Sequence, residues 1–186
     1  ETRARIICPP GQDCSSAPIP WQVGITTVGR TRPWCGGTII SGRYILSAAH
    51  CFEDVKRRDP RRLSVTLGDM DWSEDNEWPH ITIGVDKLLM HPQFRKGALF
   101  NNDFAILKLE RPIDFASYDW IRPACLPRSE ESSSYDNVAA TVSGWGWTHP
   151  DIHVKLLATS NIKYPGTNKG VDTELLHEII PVKVRG

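Results

Sequence analysis

The sequence has no net charge, with 22 Lys and Arg against 22 Asp and Glu. It therefore makes no general field that would hold nucleic acid or a membrane surface. It has no apolar run near the roughly 20 residues that a membrane-spanning helix needs. There is no C-x-x-C pair among its five cysteines and its six histidines are scattered, which argues against a zinc site. It opens on Glu1-Thr2-Arg3, which is not a signal peptide, so any secretory signal would already have been removed. At 186 residues it still has the length to bury a real core, in one domain of ordinary size or two small ones.

What is present points to an all-β chain. From Trp21 onward, residues 21–27, 35–40, 44–47, 63–67, 81–90 and 104–109 form short runs of strand character separated by Gly, Pro or charge. Leu63, Val65 and Leu67 alternate, which turns one face of their strand inward. Six antiparallel strands can close into a small barrel and leave no exposed edge. The cysteines are Cys8, Cys14, Cys35, Cys51 and Cys125; with seven Trp and evenly spread charge they fit a secreted, extracellular, disulfide-stabilised domain. Their odd number leaves at least one thiol without an internal partner.

The organising stretch is residues 35–51, CGGTIISGRYILSAAHC. It reads as a strand, a turn at Ser41-Gly42-Arg43 and a second strand, with His50 one residue before the closing cysteine. A disulfide between Cys35 and Cys51 would close a loop of about 17 residues, a constraint on the order of 3 kcal/mol. It would also pin an imidazole whose reference pKa of roughly 6.5 suits proton transfer. A half-buried histidine beside a structural disulfide satisfies the same pattern.

Other segments decide between these. Ser47-Ala48-Ala49-His50-Cys51 resembles the histidine segment of the trypsin and chymotrypsin-like serine proteases. Pro20-Trp21-Gln22-Val23 resembles their first barrel strand, residues 102–109 (NDFAILKL) their aspartate segment, and Gly144-Trp145-Gly146 the start of their second barrel. The resemblance implies a closed six-stranded antiparallel barrel plus a second, here incomplete, barrel. It implies His50 as general base and Asp103 as the carboxylate that orients it, with Cys35 and Cys51 bonded. It also implies an activation cleavage between Arg5 and Ile6 in a Pro-rich arm, where Cys8-Pro9 stands in place of the usual Gly-Gly. No cofactor is expected. The expected partner is a protein or peptide substrate, and Cys125 is the candidate for a disulfide to another segment or chain, with Cys8 and Cys14 as its alternatives or as each other's partners.

The expected organisation is an arm at 1–20, a barrel at 21–115, a linker at 116–137 and the start of a second barrel at 138–186. Two charged loops interrupt the barrel. Residues 56–62, KRRDPRR, hold five basic side chains that would rim a substrate cleft, attract a sulfated polysaccharide or simply be solvated. Residues 69–77, DMDWSEDNE, offer Asp69, Glu74 and Glu77 as candidate calcium ligands, or balance the basic loop.

Residues 149–169 read as an irregular surface loop. Residues 174–184 resemble the strand after it, although Leu175, Leu176, Ile179 and Ile180 would also fit one helical face. No Gly-Asp-Ser-Gly run occurs, and the last serine is Ser160. Two functions follow as expectations: a serine endopeptidase domain without its nucleophile, inactive alone, or a non-catalytic protease homologue serving as an extracellular binding or regulatory module.

Overall fold

Alternating apolar residues set the inner wall of the molecule. In the computed structural model, which describes residues 19–69, 72, 79–126, 139–144 and 160–163, they lie on six strands. These are β1 (Gln22–Thr27), β2 (Cys35–Ser41), β3 (Tyr44–Ser47), β4 (Leu63–Leu67), β5 (Ile81–Met90) and β6 (Ala105–Leu109). They close into an antiparallel barrel in the order β1-β2-β3-β6-β5-β4, with β4 returning to β1. Val23, Ile25, Ile39, Ile45, Val65, Leu67, Leu107 and Leu109 are fully enclosed. Each such side chain stabilises the fold by about 1.5–3 kcal/mol relative to exposure. Gly37 is small for a reason: a Cβ there would come within 2.8 Å of Ile45 Cγ2 and 3.0 Å of Val23 Cγ2. Irregular pairing between Ile39 and Ser41 and between Val85 and Lys87 bends the sheet as closure requires.

The expected strands recur with small shifts. Trp21 and Phe104 fall outside β1 and β6, and Ser41 extends β2. A larger difference concerns β4, where Ser64 and Thr66 are buried as well as Leu63, Val65 and Leu67. The outer face is covered because the Ser64 hydroxyl lies 2.8 Å from that of Thr26 and the Thr66 hydroxyl 2.8 Å from that of Thr82.

Residues 111–126 have no regular structure, yet the part read as the start of a linker is a strap on the barrel. Ile113, Ile121 and Ala124 are buried. Backbone N–H groups of Ile113, Arg122 and Ala124 donate to the carbonyls of Gly42, Pro20 and Ile39 at 2.7, 3.0 and 2.8 Å. The Arg122 guanidinium donates from Nη1 to the carbonyls of Phe115, Tyr118 and Ile121. Buried apolar side chains at irregular spacing thus hold a segment that lacks a period.

Beyond the strap, β7 (Ala139–Val142) pairs antiparallel with β8 (Ser160–Lys163). Strand β8 lies within residues 149–169, read above as an irregular loop, and corrects that reading. The Ser143 hydroxyl donates to Gln22 Oε1 at 3.0 Å, joining the end of β7 to the barrel. Among the described residues, no helix is long and apolar enough to cross a membrane.

Candidate active site

Antiparallel pairing of β3 with β6 places Ser47 opposite Ala105. The chain leaving β3 and the chain entering β6 therefore share one rim of the barrel. His50 lies three residues after Ser47, and Asp103 two before Ala105. The rim brings the two together from 53 positions apart.

His50 sits in a 3-10 turn, Ala49–Phe52, whose Ala49, Cys51 and Phe52 are buried. Burial on either side of the histidine turns its ring outward. Asp103 follows Asn102, whose φ of 56° is a left-handed conformation that asparagine tolerates and most residues do not. That turn delivers the carboxylate to His50. His50 Nδ1 lies 2.7 Å from Asp103 Oδ2, and the His50 backbone N–H donates to Asp103 Oδ1 at 2.8 Å. The two side chains are 22% and 20% exposed, so the pair is partly shielded but reachable. A carboxylate only accepts, so Nδ1 carries the proton and Nε2 the lone pair.

Two further contacts meet the imidazole, and an ion pair ties together the segments that make them. Cys51 is bonded to Cys35, with Cα atoms 6.2 Å apart, and its Sγ lies 3.8 Å from His50 Nε2. The Phe100 ring stands edge-on to the imidazole, with centroids 6.4 Å apart. Glu53 Oε1 takes Arg95 Nη2 at 2.8 Å, fastening the loop that carries Phe100 to the turn that carries His50. The second Asp103 contact, Phe100 and the Glu53–Arg95 pair were not apparent from sequence. Only the Asn101-Asn102 pair, which admits a left-handed turn before Asp103, offered a signal.

Replacing both cysteines, as in Cys35→Ser with Cys51→Ser, is expected to cost about 3 kcal/mol of stability. A urea midpoint that stayed where it was would show that the bond does not constrain the unfolded chain.

Other sequence candidates are placed as follows. Cys125 is a free, exposed thiol. Arg5, Ile6, Cys8, Cys14, Glu74, Glu77, Trp145, Gly146 and residues 174–184 lie outside the described residues. Asp69 is described, with Oδ2 3.9 Å from His80 Nδ1. Among the described residues, Cys35, His50 and Cys51 bring metal-type donor atoms within 4.8 Å of one another, but the two sulfurs are bonded to each other and offer no thiolate.

A closed six-stranded antiparallel barrel with an imidazole and a carboxylate paired at its rim is consistent with the trypsin-like fold. The family model described as Trypsin matches residues 9–174, and the chain belongs to that family. It is 36% identical over 133 residues to "Venom serine protease 34" of Apis mellifera, covering 69% of this chain and 32% of that protein. It is 39% identical over 132 residues to "Coagulation factor XI" of Bos taurus, covering 69% of this chain and 20% of that protein. It is 29% identical over 170 residues to "Serine protease ea" of Drosophila melanogaster, covering 81% of this chain and 41% of that protein. The chain thus spans well under half the length of these curated relatives. Trypsin-like serine proteases need no cofactor for their chemistry.

Proposed function

We propose that this chain supplies the histidine and aspartate half of an extracellular serine endopeptidase whose nucleophilic serine comes from residues beyond these 186. What carries the reading is the 2.7 Å contact between His50 Nδ1 and Asp103 Oδ2. In this role Nε2 takes the proton from the serine hydroxyl as the oxygen attacks the substrate carbonyl, then returns it to the leaving amine. Asp103 holds the ring in the tautomer that can accept and stabilises the imidazolium between the two steps. The Cys35–Cys51 bond supports an oxidising, extracellular setting.

The nucleophile cannot be dispensed with, since its removal costs about 10⁶ in turnover, and each oxyanion donor about 10² to 10³. The reading therefore requires that the intact protein carry both. A fluorophosphonate probe applied to the protein from its native source is expected to label a polypeptide containing these peptides. Absence of label on that polypeptide, with a companion protease labelled in the same sample, would replace the reading with a non-catalytic homologue that binds or regulates.

A further inference from the structure

The catalytic step proposed above is assigned to His50 and Asp103 and not to the basic residues 56–62, and the fold gathers more cationic side chains beside them. The Val28 N–H donates to the Arg62 carbonyl at 2.9 Å and Thr27 pairs with Leu63, so the turn after β1 lies against the 3-10 turn Pro60–Arg62. The Arg57 guanidinium lies over the Trp34 ring, 4.5 Å from its centroid. Arg30 and Arg32, with Thr27, Thr31 and Trp34, line a recess of about 400 Å³. Arg30, Arg32, Arg57 and Arg62 are all exposed. Among the described residues, none of the four has a carboxylate within ion-pairing distance. Arg61, by contrast, is held by Asp59 at 3.1 Å. Among the described residues, these four unpaired guanidinium groups gather positive charge around the recess.

Arg30 and Thr31 also line a neighbouring cleft of about 350 Å³. Its floor is made of the buried hydroxyls of Thr26, Ser64 and Thr66, with exposed Thr82 at its rim, Trp72, His80 and Val28 as walls, and the Asp69 carboxylate 3.9 Å from His80 Nδ1. The hydroxyls meet in pairs 2.8 Å apart. Within such a pair one oxygen donates to the other, and both keep lone pairs for further acceptance. Two adjoining surfaces result, one of guanidinium groups and one where hydroxyls stand beside the Trp72 ring and the Asp69 carboxylate, with Arg30 and Thr31 common to both.

We propose that this face binds a sulfated polysaccharide. Arg30, Arg32, Arg57 and Arg62 take sulfate groups through the paired N–H donors of the guanidinium fork, and the cleft takes sugar hydroxyls. Two observations favour a sugar chain over an acidic peptide. Strand β1 is paired on both sides, with β2 and β4, so there is no free edge here for a peptide backbone to join. Trp34, the large apolar side chain of the recess, is already covered by Arg57 and packed edge-on against Phe52 with centroids 5.5 Å apart. Among the described residues that line the recess, Trp34 is the one large apolar side chain. The interaction requires neither His50 nor a serine, so it stands apart from the proteolytic reading.

The test is calorimetric titration of the intact protein with heparin oligosaccharides of defined length over a series of salt concentrations. Affinity is expected to fall with rising salt, with roughly one ion released per arginine engaged. Arg30→Glu and Arg57→Glu are each expected to weaken binding about tenfold or more, as loss of a charge-assisted contact implies. Lys87→Ala and Arg111→Ala, exposed cations outside the patch, should leave affinity within about twofold, and all four variants should keep the wild-type melting temperature. Failure to bind heparin at low salt would overturn the proposal. So would equal affinity for desulfated heparin, or equal losses from the two control variants. Tighter, arginine-dependent binding of polyglutamate would make the surface an acidic-peptide site instead.

Discussion

Asp103→Asn, made in the intact protein, is expected to lower kcat by about 10⁴ while the barrel stays folded, as the same exchange does in the serine-protease triad. The reason lies in two hydrogen bonds. Asp103 Oδ1 accepts the His50 backbone N–H at 2.8 Å, and the asparagine carbonyl oxygen reproduces that bond. Oδ2 faces His50 Nδ1 at 2.7 Å, and there the asparagine places an NH₂ that can only donate. To receive it, Nδ1 must give up its proton, which moves to Nε2. The nitrogen that should accept the serine proton then carries one of its own. Shape is retained and the tautomer is wrong. Steady-state kinetics beside a thermal melt checks this, and activity within tenfold of wild type would remove Asp103 from its role.

Phe52→Ala should be the most damaging single truncation in the barrel, at about 3–5 kcal/mol. Phe52 is fully buried and is among the largest of the enclosed side chains. It closes the turn that carries His50 and meets Trp34 edge-on. Its removal leaves a void directly beneath the histidine turn, which backbone tied by the neighbouring disulfide cannot readily fill. Chemical denaturation measures the loss. A shift below about 1 kcal/mol would show that the turn collapses onto the gap and that packing does not hold the histidine.

Much of the barrel could be read from the chain because its evidence is local. Leu63, Val65 and Leu67 declare an inward face by alternation, and Ser41-Gly42-Arg43 declares a turn. The burial of Ser64 and Thr66 could not be read this way, since it rests on hydroxyl partners on other strands, as far off as Thr26. The strap at 111–126 escaped for a similar reason: Ile113, Ile121 and Ala124 share no period, and only the barrel surface explains their spacing. At the site, the residue types His50 and Asp103 were visible through family resemblance. Their meeting depends on the β3–β6 register, and the Glu53–Arg95 tether depends on a loop path that no short-range pattern encodes. Strand β8 was missed because four residues, Ser-Asn-Ile-Lys, contain one apolar side chain and no alternation to detect.

The contact between Ser143 and Gln22 has a consequence for biosynthesis. All six barrel strands, ending at Leu109, precede β7 in the chain, so a ribosome releases a complete barrel before the second sheet exists. Gln22, in the first of the described strands, is therefore in position when Ser143 emerges. The later sheet docks on a finished template and need not wait for a partner to fold alongside it.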